Sequence, residues 1–175
     1  MGAVAIGSAA LRLVRQWDEV PNIRVYFGDR EVIVGKATAF TNSAIECGII
    51  HARALLEFLG LGSQGKSKLV QRTGPRRNDD IGIEQFAGLS QVTPKRAAAA
   101  YLGSSAEAEE ALAYVSYLAN KGLAHGTTSF AVHPGGADLL EIGLYGVPAL
   151  VVRYFYAPLG LPKPEYEPQE LRRGV

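Results

Sequence analysis

The chain has 175 residues, 47% of them apolar and 20% charged. A chain of this size and composition builds one domain with a substantial core, which excludes wholesale disorder, a collagen-like fibre and a disulfide-stapled miniprotein. The formal net charge is +1, so no overall field marks the whole chain as a nucleic-acid binder.

The apolar N-terminus lacks a basic leader and soon meets Arg12, Arg15 and Asp18, which makes it a poor secretory signal. Its spacing of Leu11 and Val14 predicts a short helix over about 7–17, stopped by Pro21. Ile23, Val25 and Phe27 then alternate with Arg24 and Tyr26, and Val32 and Val34 flank Ile33. Around the Gly28-Asp29 turn this period of two predicts a β-hairpin.

The second helix is expected over about 37–61. Ile45, Ile49, Ala52, Leu56 and Leu59 recur at the helical period, with Cys47, His51, Leu55 and Phe58 as a second apolar row beside them. On that reading the helix is central, Cys47 is a buried small hydrophobe and His51 is a buried ring bonded to a carboxylate such as Asp80. Arg53 and Glu57, four apart, form an ion pair on the remaining face.

From Gly62 to Arg96 the periodicity fades. The stretch carries a net charge of +4, leaving −3 on the rest of the chain, and reads as a long basic loop between helices 2 and 3. A short helix is expected near 83–89. The Arg76-Arg77 and Lys95-Arg96 pairs are of the type that meets phosphates.

The third helix opens on a capping box, Ser104 with Glu107 three residues later, and its seam runs through Ala111, Val115 and Leu118. A fourth starts near Ala137 and runs to about Ala157, with Pro148 expected to kink it. Its apolar run reads as a buried helix and not a membrane span, because it carries Arg153. The tail, residues 158–175, holds four prolines and is expected to be extended.

These elements predict a single all-α domain over residues 1–175: an up-and-down four-helix bundle with a small N-terminal hairpin and a long basic loop. The wide apolar faces and tyrosines of the last helix point to a homodimer. The lone cysteine suits a reducing cytoplasm. No dinucleotide, phosphate-loop, nucleophile-elbow or zinc-helix motif is present, so neither a cofactor nor a metal is expected.

The most informative segment is Asn120-Lys121-Gly122-Leu123-Ala124-His125-Gly126. It resembles the motif near the end of the third helix in the HEPN superfamily of four-helix domains, with Ala119 where that family has arginine. The resemblance implies a metal-independent ribonuclease site, or a catalytically degenerate relative of one, associated with RNA or nucleotide in a toxin or defence pair. His125 would then serve acid–base chemistry beside Asn120, as an imidazole that titrates near neutrality is suited to do. Lys121 would supply the missing cation, and His51, Arg53, Asp80, Arg76 and Arg77 are the candidate binding residues. His51-Ala-Arg53, Asp79-Asp80 and Leu123-Ala-His125 also resemble a group of uncharacterised bacterial helical proteins. The alternative reading is a non-catalytic helical interaction module that dimerises and has no nucleic-acid role.

Overall fold

The computed structural model describes residues 1–123 and 135–165. In chain order it contains helix α1 (Gly2–Val14), strands β1 (Asn22–Phe27) and β2 (Arg30–Lys36), helix α2 (Thr38–Phe58), strands β3 (Leu61–Gln64) and β4 (Lys68–Gln71), a 3₁₀ turn (Ile83–Gln85), and helices α3 (Pro94–Ala98), α4 (Ser105–Tyr117) and α5 (Gly136–Val151). α4 and α5 each run on into a π-helical turn, Leu118–Leu123 and Val152–Tyr156.

This corrects the expectation of an all-α up-and-down four-helix bundle. Among the described residues there are five helices and two antiparallel two-stranded sheets, a mixed α/β arrangement. The expected long loop is the source of the error. It holds β3, β4, the 3₁₀ turn and α3. Strands of four residues are too short to display a period, and Gly62, Ser63 and Gln64 have no apolar alternation to read. In the sheet, Ser63 pairs with Leu69 and Leu61 with Gln71, which puts Leu61 and Leu69 on one face. Both are fully buried, and the sheet packs on α4. α3 is missed because it is one short turn, although Thr93 caps it by accepting from the Arg96 N–H and Pro94 occupies its first position.

The helical framework follows from small residues. α1 crosses α2 at Gly7 and Gly48; a Cβ on Gly7 would lie 2.9 Å from the Ala44 carbonyl oxygen and 2.9 Å from the Gly48 Cα. α4 meets α5 at Gly143, where a Cβ would come within 2.9 Å of the Ala111 carbonyl oxygen. Backbones this close bury Val4, Leu11, Ile49, Ala52, Leu56, Val115, Leu144 and Val147 in one core. Gly60, at φ 85°, ends α2 in the left-handed conformation that terminates helices. Its carbonyl accepts from the Arg72 N–H, and that of Leu59 accepts from the Val92 N–H, so the end of α2 anchors the middle of the chain.

The N-terminal hairpin forms as its alternation predicts, with Val25 opposite Ile33 and Gly28 at φ 60° opening the two-residue turn. Ser104 caps α4 through the Glu107 N–H. Pro148 lies inside α5 without ending it. The segment Gly136–Tyr156 is long and apolar enough, by length and composition, to cross a membrane; here it packs against α1, α2 and α4.

Candidate functional site

Two groups of cations frame the site question. The first lies at the C-terminal end of α2. Arg76 comes from the connection after β4, and its side chain is only 10% exposed. Its Nε donates to Glu84 Oε1 at 2.6 Å, and one terminal nitrogen donates to the Glu57 carbonyl oxygen at 2.9 Å and the Phe58 carbonyl oxygen at 3.4 Å. The last carbonyls of a helix have no intrahelical donor, and a guanidinium satisfies them while opposing the negative end of the helix dipole. Gly82 is a glycine for a local reason: a Cβ there would overlap the Arg76 guanidinium.

The network spreads from there. Arg53 bonds Glu57 at 3.0 Å, while Arg72 lies 3.9 Å from Glu57 and 3.7 Å from Asp80. Gln91 donates to Glu84 at 3.1 Å. The Arg76 hydrogen bond holds the Glu84 carboxyl at about 2, well below its ordinary 4.5, against a smaller desolvation effect in the opposite sense. Phe58, Phe86 and Phe155 meet edge to face beside it, with centroids 4.8–6.0 Å apart. Three arginines thus face three carboxylates.

The structure therefore brings together Arg53, Arg76 and Asp80, three of the expected binding residues, but as an internally neutralised clasp. Arg77 is exposed, and its backbone N–H donates to Asp80 at 3.3 Å. His51 and Cys47 are corrected: both are exposed on α2. Asp80 pairs with Arg72 instead of His51. The physical reason is that α2 buries one stripe, through Gly48, Ile49, Ala52 and Leu56, and the second apolar row lies outside it. Arg72 and Glu84 escape the sequence reading because the pairs Arg72–Glu57, Arg72–Asp80 and Arg76–Glu84 are 8 to 15 residues apart, beyond helical spacing.

Asn120 is half-buried and Lys121 exposed, both on the π-helical turn after α4, which packs against α2. His125, the central residue of the motif, and His133 lie outside the described residues. Among the described residues no three His, Cys, Asp or Glu side chains cluster as a metal site would require.

The second group of cations is at one end of an apolar slot. The slot, about 340 Å³, lies between α3, α4 and α5. Ala97, Ala100, Gly146 and Ala149 keep it open, and Leu112 and Ile142 wall it. Arg153 lines it. The Arg153 guanidinium sits over the Tyr154 ring, 5.7 Å from its centroid, and Arg96 sits over the same ring at 4.8 Å. The Tyr154 hydroxyl donates to the Arg96 carbonyl oxygen at 2.8 Å, which holds the ring in place. A second cleft adjoins the slot through Tyr101, Ile142 and Tyr145; Asp138 and Glu141 line it, and both pair with Arg15. The slot was legible only as the helical stripe Ile142, Gly146, Ala149, Arg153.

No protein-family model, no curated protein and no solved structure matches the chain.

Proposed function

We propose that the protein is a non-catalytic interaction module acting as a homodimer joined through the β1–β2 hairpin. One observation supports this reading: the hairpin leaves Tyr26, Phe27, Val32, Ile33 and Val34 exposed, with Phe27 at 77%, and its strands pair mainly with each other. A two-stranded hairpin alone is marginal in water, and its free β2 edge is a template for another strand. A second copy is the fitting partner because the apolar centre of the edge, Val32–Val34, matches itself about a two-fold axis. A two-fold axis at Ile33 sets Val32 opposite the partner's Val34 and joins two hairpins into one four-stranded sheet. The same axis sets Arg30 opposite the partner's Lys36, a like-charge repulsion at each end of the seam that the apolar centre must outweigh. A reducing cytoplasm, which suits the exposed Cys47 thiol, is part of the same proposal.

Light scattering across a concentration series tests it. The wild type is expected to run as a dimer and Ile33→Lys/Val34→Lys as a folded monomer; a wild type that stays monomeric at high concentration removes the proposal.

A second reading, association with RNA, is favoured by the π-helical turn that carries Asn120 and Lys121, since such turns often sit at functional sites. Its test is anisotropy of a labelled single-stranded RNA with wild type, Lys121→Glu and His125→Ala. Binding that both variants weaken supports it, and cleavage lost in His125→Ala supports the ribonuclease form. Absence of binding removes the reading.

A further inference from the structure

We infer that the slot between α3, α4 and α5 is a binding site for an anionic single-chain amphiphile, with its alkyl chain in the slot and its head at Arg153 and Arg96. Two independent observations lead there.

The first is the cavity. Its volume of about 340 Å³ falls in the range of small-molecule sites, which are mostly apolar with a few placed polar groups. It is elongated along α5. Ile142, Gly146, Ala149 and Arg153 fall on one stripe of the helix, and from Ile142 to Arg153 the helical rise of 1.5 Å per residue gives about 16 Å. Small side chains line the floor: Ala97, Ala100, Gly146 and Ala149 leave room that leucine or phenylalanine would fill. A narrow, carbon-lined trench suits an unbranched chain better than a polar or globular ligand.

The second is the charge at its end. Arg96 and Arg153 both sit over one ring, Tyr154, and neither is ion-paired with a carboxylate among the described residues. Lys95 is exposed in the same turn of α3. Like charges gathered around one ring repel, and an anion between them converts that repulsion into attraction. The other end of the α5 stripe carries Asp138 and Glu141. Both of these carboxylates are paired with Arg15, whereas Arg153 has no carboxylate partner among the described residues, which orients the ligand: head toward Arg153, tail toward Tyr145. Neither the slot nor the arginine pair includes a residue of the β1–β2 hairpin, so this site stands whether or not the chain dimerises.

Carboxylate and phosphate heads share the required chemistry, and titration separates them. Isothermal titration of the full chain would use dodecanoate, dodecyl phosphate and dodecyltrimethylammonium, each well below its micelle concentration, and dodecanol below its solubility limit. Saturable binding of one dodecanoate or one dodecyl phosphate per chain is expected, the tighter of the two naming the head. Dodecanol is expected to bind about tenfold or more weakly, and the cationic compound not at all. Arg153→Gln and Arg96→Gln are each expected to weaken the anion by about tenfold. Ala149→Trp, a substitution at an exposed position that fills the slot, should abolish binding of both anions, with unchanged circular dichroism and denaturation midpoint confirming the fold. The inference is overturned by any of three results: no saturable binding of either anion, equal binding of the cationic compound, or wild-type affinity in Arg153→Gln and Ala149→Trp. It is also overturned if the chain sediments with phosphatidylglycerol vesicles while neither free anion binds, since that result assigns the arginines to a membrane surface.

Discussion

Arg76 and Arg153 are the same residue type at the ends of neighbouring elements, and the fold puts them to opposite uses. Arg76 is sunk against the α2 terminus, where Glu84 and two helix carbonyls take up its donors. Arg153 lies on the surface over Tyr154, with Arg96 beside it and no carboxylate partner among the described residues. The basic stretch 62–96 supplies a cation to both regions, Arg76 to one and Arg96 to the other. Pairing separates them: a cation bonded to a carboxylate and to helix carbonyls inside the chain holds structure, and a cation left over a ring is available to something else.

Breaking the clasp should have the largest effect. Arg76→Ala strands Glu84 and the last carbonyls of α2, and is expected to destabilise by about 2–4 kcal/mol in urea denaturation. Arg153→Ala, by contrast, should stay within about 0.5 kcal/mol of wild type. A loss for Arg153→Ala as large as that for Arg76→Ala would erase the distinction.

Gly82→Ala sharpens it, because nothing but space changes. The added methyl must displace the Arg76 guanidinium, with an expected cost of about 1–3 kcal/mol. The double variant with Arg76→Ala should lose less than the two single losses added, since no guanidinium is left to displace.

Acid probes the same contact. The Glu84 carboxyl titrates at about 2 in the folded chain against an ordinary 4.5, so its contribution is fully present above about pH 4.5 and is lost as pH falls toward 2. Denaturation midpoints should fall across that window, and Glu84→Gln should flatten the fall. A midpoint slope identical in Glu84→Gln would show that the Arg76 contact does not set it.

The smallest effect is expected at Arg53. Its bond to Glu57 is an i,i+4 pair with both side chains about one-third exposed, and Arg53→Ala should cost about 0.5 kcal/mol or less.

The contrast also separates what was legible in the sequence from what was not. The hairpin, the core stripe of α2 and the Ser104 cap were readable because their signals are local: alternation, helical period, a serine before a glutamate. The Arg53–Glu57 pair was readable for the same reason. The clasp was not, since Arg76 reaches Glu57 and Phe58 across nearly twenty residues with no repeating spacing. β3 and β4 were hidden by their shortness. His51 and Cys47 were misplaced because an apolar row beside the core stripe looks buried until the neighbouring helices fix how much of α2 they cover. The arginine pair over Tyr154 joins residues 96 and 153, which are brought together where the Tyr154 hydroxyl reaches the Arg96 carbonyl, 58 residues away in the chain.

One paired measurement tests the division of labour most directly: urea stability and dodecanoate affinity determined on the same preparations of Arg76→Gln and Arg153→Gln. Arg76→Gln is predicted to lose stability and keep affinity, and Arg153→Gln to keep stability and lose affinity. Both variants losing the same property, or Arg153→Gln losing neither, would contradict the account.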